Sequence, residues 1–274
     1  MLGKLLKHEL VATGRIMLPA LGAVIVLAGM ANLSYQGIRY VESEFINIML
    51  IFIIGIFFLG LFAAGVLSVV IMVQRFYKNL LRDEGYLMFT LPVSVHGLIW
   101  SKVLISLLWI FITTLVCVVL FILTVFHFAQ LGFRDFISWL PELRESLYWF
   151  FERTPVTRLD MAGYIAELII YALIAGISQC LYFYAAMAIG HSFTKNKVLL
   201  SIVFYLVIGF GLQIFSTGFA LIVGESRVLT VGTVEQLALG LHRAFLFFVV
   251  QQLIQGLILY LLTYFPLKNN LNLA

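Results

Sequence analysis

Residues able to do chemistry are few in this chain and stand far apart. The five histidines, His8, His96, His127, His191 and His242, never fall within a helical turn of one another. Metal sites need several such ligands converging, so this spacing predicts solvated imidazoles and no metal centre. Cys117 and Cys180 lie inside apolar runs without ligand spacing and read as small core hydrophobes. No Gly-x-x-x-x-Gly-Lys-Ser/Thr loop is available to cradle a nucleotide's phosphates. No His-Glu-x-x-His pair is present, and no Ser or Cys nucleophile has an evident base. The expectation is a chain that is not an enzyme and holds no cofactor of its own. Two charged features remain: Glu167, alone in an apolar run, and the triplet Arg82-Asp83-Glu84.

The elements that must position these groups are membrane helices. Of 274 residues, 63% are hydrophobic and 11% charged, against about 25% charged in soluble proteins. The predicted fold is an all-α polytopic membrane protein with six transmembrane helices in a single domain, residues 1–274. A net charge of +4 in such a chain is no sign of a nucleic-acid partner; the partner it requires is a lipid membrane. Residues 1–14 place Leu2, Leu5, Leu6 and Leu10 opposite Lys4, Lys7 and His8, the pattern of an amphipathic interfacial helix. Spans are expected over 16–33, 45–73, 104–126, 162–189, 198–223 and 244–265. Within the second, Gly60 and Ala64 have the spacing that lets two helices approach closely. Residues 127–160 form the largest hydrophilic excursion, mixed with Trp139 and Trp149, and suggest short external helices at headgroup depth.

Between the second and third spans lies a polar island, residues 75–95. Its core, Arg82-Asp83-Glu84, would cost a few kcal/mol per charge in hydrocarbon and so belongs in water. All seven lysines (Lys4, Lys7, Lys78, Lys102, Lys195, Lys197, Lys268) fall on one side of the six-span layout, and most carboxylates on the other. By the positive-inside rule that side is the cytoplasm, which holds the island and both termini of a multi-pass plasma-membrane protein. Ser94 is a plausible N-cap for the helix that becomes the third span. Glu167 sits one or two turns inside the fourth. It faces a cavity or a partner, or else it reaches the outer interface or pairs with Arg158 or Arg243.

The island carries a resemblance. Phe76-Tyr77-Lys78-Asn79-Leu80, Asp83-Glu84-Gly85-Tyr86-Leu87, Thr90-Leu91-Pro92-Val93-Ser94 and Ser101-Lys102 together resemble the loop between the second and third spans of type-2 ATP-binding-cassette (ABC) exporter permeases of Gram-positive bacteria. The resemblance implies a six-helix permease that pairs with a second permease, as a homo- or heterodimer, on a separate ABC ATPase. That partner would bind ATP and Mg. The island would then be a cytoplasmic coupling loop. Arg82, Asp83, Glu84, Gly85, Tyr86 and Leu87 would contact the ATPase, and Phe76, Lys78, Phe89 and Pro92 would anchor the loop. Gly85 would allow a sharp turn or a close backbone approach, and residues 2–13 would match the family's connecting helix.

On this reading the chain moves hydrophobic or amphipathic cargo (peptide, lipid or drug) outward. The excursion over 127–160 is larger than the link expected there and could release cargo, dock an external partner or pack. Two other readings compete. An ion-coupled secondary transporter would need several intramembrane ionisable groups, where this chain offers Glu167 alone. A membrane scaffold or sensor subunit would bind partners through the excursion and move nothing.

Overall fold

The computed structural model of the chain describes residues 2–81, 85, 94–129, 138, 141–142, 144–146, 148–149, 158–193, 195–221 and 234–269. Six long helices account for nearly all of them: α1 (Leu2–Tyr40), α2 (Glu44–Phe76), α3 (Val95–Phe128), α4 (Arg158–Gly190), α5 (Lys197–Phe219) and α6 (Val234–Asn269). Helices follow from the apolar runs because in lipid every backbone N–H and C=O must be satisfied within its own segment. All six are long and apolar enough to cross a membrane. Their surfaces agree, for large apolar side chains such as Phe62, Phe52 and Phe210 are about 70% exposed or more. A water-soluble protein does not turn such faces outward. The chain is a multi-pass, all-α membrane protein.

Packing groups the chain into two compact units, residues 1–74 with 104–142, and residues 75–103 with 143–274. In the first, Met17 and Leu21 of α1 meet Ile71 of α2 and Ile105 and Trp109 of α3. Each pair is spaced i, i+4, so one face of each helix makes the seam. Gly14 admits the Trp109 ring, since a Cβ there would lie 3.4 Å from the indole. The indole N–H donates to Thr13 Oγ1 at 2.7 Å, and the Thr13 hydroxyl donates to the Glu9 carbonyl at 2.7 Å. A second cluster joins Ala28, Ala31 and Phe57. Here Gly60 bears against Leu27, where a Cβ would come within 2.8 Å of a leucine methyl, and Ala64 is buried. The small residues of the second span do mark a close helix contact.

In the second unit α4 is the central element. It packs extensively on α6 and on α5, whereas α5 and α6 barely touch each other. Gly190 closes the α4–α5 hairpin, because any Cβ there would strike the Ser201 backbone. The turn is completed by Asn196 in the left-handed region, φ 53°, a conformation asparagine tolerates better than most residues.

Two boundaries differ from the sequence reading. The amphipathic residues 1–14 do not form a separate surface helix: α1 runs unbroken from Leu2 to Tyr40. Its polar residues Glu9 and Thr13 are buried on the line that continues through Met17 and Leu21. An amphipathic stripe has the same period whether lipid or a neighbouring helix covers it. The link expected over 34–44 shrinks to Val41-Glu42-Ser43, with the Asn47 amide donating to the Val41 carbonyl at 3.1 Å. Between residues 130 and 157 the described residues are helical, as expected, with Tyr148 and Trp149 more than half exposed.

Candidate functional site

The island is held at its leading edge by aromatic packing. α2 does not stop at Val73; it continues to Phe76 and passes into a π-helical turn, Tyr77–Leu81. Phe76, Leu80 and Leu81 are buried, and the Phe76 ring stacks on Tyr184 of α4 with centroids 4.0 Å apart and planes 8° from parallel. Tyr77 meets His191 edge-on at 5.1 Å. His191 corrects the expectation of solvated imidazoles, for it is only 3% exposed. Its Nδ1 lies 2.9 Å from the Met187 carbonyl and 3.3 Å from Ser201 Oγ. Ser201 itself donates to the Lys197 carbonyl at 2.9 Å, which assigns the ring proton to Nδ1.

The trailing edge is held by a cap and by α6. Ser94 caps α3, its Oγ accepting the Gly97 N–H at 3.3 Å, which satisfies a donor that the first helical turn otherwise leaves open. His96 hydrogen-bonds the Tyr260 hydroxyl and stacks on Tyr264 at 4.4 Å. Ser101 and Lys102 are buried at 1% and 2% exposure, so Lys102 is no solvated surface cation. Of the residues assigned to the island by resemblance, Arg82, Asp83, Glu84, Tyr86, Leu87, Phe89 and Pro92 lie outside the described residues. Gly85 is helical and buried. Phe76 is buried, and Lys78 is exposed.

Glu167 has a partner that the sequence did not suggest. Its Oε1 lies 2.5 Å from Nδ1 of His242 on α6, and the two side chains are 23% and 50% exposed. The pair ties one end of α4 to α6.

A second feature went unnoticed in the sequence because it carries no charge. Where α5 and α6 part, a partly open cleft of about 240 Å³ is lined by Ser178, Gln179, Tyr182, Gln213, Ser216, Gln252 and Gln255, with Leu212 and Leu259 as apolar wall. Gln251 and Gln255 both donate to Ser216 Oγ, at 2.6 and 2.8 Å. Gly256 lets Ser178 approach α6, and Gly209 lets the Tyr182 hydroxyl pass to the Tyr205 carbonyl at 2.5 Å. At the α-helical rise, Ser178, Gln213 and Gln255 stand ~18, ~24 and ~21 Å from the ends of their helices at Gly190, Lys197 and Asn269. Those positions lie within the spanning parts of all three helices. Five glutamines inside apolar spans were the available signal. Among the described residues no cluster of metal-ligating side chains occurs. No family model, curated protein or solved structure matches the chain.

Proposed function

We propose that this chain is the transmembrane subunit of an ATP-driven exporter of the ABC type, working with a separate ATPase and a second permease to move hydrophobic or amphipathic cargo outward. The observation that carries the proposal is the sequence of residues 76–102, whose resemblance to a coupling loop coincides with firm anchoring on both sides. A loop that transmits force must not slip at its ends. Here Phe76 is stacked on α4 and His96 on α6, within the same compact unit. ATP binding in the partner would press on the island, and the two aromatic anchors would pass that displacement to α4 and α6. No covalent step occurs in this chain.

The test is association and coupling together. Solubilised in mild detergent, the chain should bring down an ATPase, and the double charge reversal Asp83→Lys with Glu84→Lys should weaken that association and abolish ATP-driven uptake into inverted vesicles. Uptake that follows a proton or sodium gradient without ATP would replace the proposal with a secondary transporter. No uptake under either drive would leave a scaffold.

A further inference from the structure

We propose that the glutamine-lined cleft between α5 and α6 binds the uncharged, hydrogen-bonding head of an amphiphile, either a peptide amide or a sugar, while the tail lies along the lipid-exposed faces of the same helices. As a cargo site this rests on the exporter reading above; as a binding site it stands without it.

Four observations converge. The first is chemistry: every polar group in the lining is an amide or a hydroxyl, and no carboxylate, lysine or arginine is among them. An ion at that depth would lack a counter-charge, whereas amides and hydroxyls offer both donors and acceptors to a neutral head. The second is unspent capacity. Gln251 and Gln255 are occupied by Ser216, but the side-chain amides of Gln179, Gln213 and Gln252 make no hydrogen bond among the described residues. Helix-joining glutamines in membranes are kept by the bonds they make across the seam, and these three make none.

The third observation is shape. The cleft far exceeds the room needed for one water, and it exists because α4 holds both neighbours while they hardly meet. The fourth is its surroundings. Gln179 and Gln213 line the cleft and are exposed, and α5 and α6 also carry Phe210, Ile214 and Leu257, which are at least 61% exposed. A polar pocket on helices whose outer faces are apolar matches a molecule with a neutral head and a hydrocarbon tail.

Two photoreactive probes test this on the full chain in lipid nanodiscs, with no ATPase present: an N-dodecanoyl-diglycine amide and a dodecyl glucoside, each with a diazirine in the tail next to the head. Saturable labelling of α5 or α6 by either probe supports the site, and the probe that labels identifies the head as amide or sugar. Gln179→Leu and Gln213→Leu replace exposed groups with a residue the bilayer favours, so folding is preserved. Each should weaken the apparent Kd about fivefold, and the pair roughly twenty-five-fold, as expected for one lost hydrogen bond apiece. Gln252→Leu serves as an independent variant from inside the cleft. Labelling that does not saturate, or that is indifferent to all three substitutions, overturns the proposal. So does loss of dimerisation in the variants with labelling unchanged, which would make the cleft a seam between two copies. The exporter reading is tested separately by ATPase association, so either can fail alone.

Discussion

Phe76 and Tyr184 lie face to face, both fully buried, 4.0 Å apart and 8° from parallel. The stack joins the last turn of α2 to α4, so the polar island begins from a fixed point. Phe76→Ala removes the ring and leaves a cavity, and it should cost about 3–5 kcal/mol. Tyr184→Ala should cost a similar amount. The double variant should lose clearly less than the sum, because each single change already abolishes the same contact. Thermal unfolding in nanodiscs, followed by tryptophan fluorescence, measures all three; additive losses would deny that the rings act as a pair.

In the first unit, the Trp109 indole N–H depends on Thr13. Thr13→Val keeps the shape but removes the acceptor, stranding a buried donor at a cost of about 1–3 kcal/mol. Thr13→Ser restores the hydroxyl and should recover most of that loss. The Trp109 environment is read directly by near-ultraviolet circular dichroism. Destabilisation by serine with valine close to the parent would mean that methyl packing, and not the hydrogen bond, matters at this position.

Glu167 and His242 invite a smaller prediction. His242 is half exposed, so solvent screens the pair and a double-mutant cycle of Glu167→Gln with His242→Ala should give a coupling of about 0.2–1 kcal/mol. A coupling several times larger would show that the pair works in a drier setting than its exposure suggests.

Orientation is testable at Lys78, the exposed residue of the π turn. Lys78→Cys should react with a membrane-impermeant maleimide in inverted vesicles and not in intact cells. The native thiols lie within spans, where such a reagent does not reach. Labelling from outside intact cells would invert the topology, and with it the coupling proposal.

How much of this was legible beforehand depended on what each residue type announces. The six helices were, because apolar runs of this length have one outcome in a bilayer. Ser94 was, because a cap depends on a neighbour three residues away. Gly60 and Ala64 were, although Leu27, which fills the space beside Gly60, is fixed only by packing. The fate of residues 2–14 was not: Glu9 and Thr13 form the same stripe whether water or Trp109 faces them. Nor was the His242 partner of Glu167, since a pairing between α4 and α6 depends on how two distant segments are rotated. The cleft was hidden for a different reason. Scanning for charge and nucleophiles passes over glutamine, and it took the divergence of α5 from α6 to gather residues 179, 213 and 252 around one space.

The unbroken α1 has one more implication, which concerns reach. Thirty-nine residues make a rod ~58 Å long at the α-helical rise, nearly twice the hydrocarbon thickness of about 30 Å. Even leaning by about 40°, such a rod uses only ~39 Å to cross. Some 20 Å is left over by that estimate, and the end bearing Lys4, Lys7 and Arg15 is the one suited to water. The rod is therefore several turns longer than a crossing requires, and that surplus must be lodged in the headgroup layers or in the water beside them.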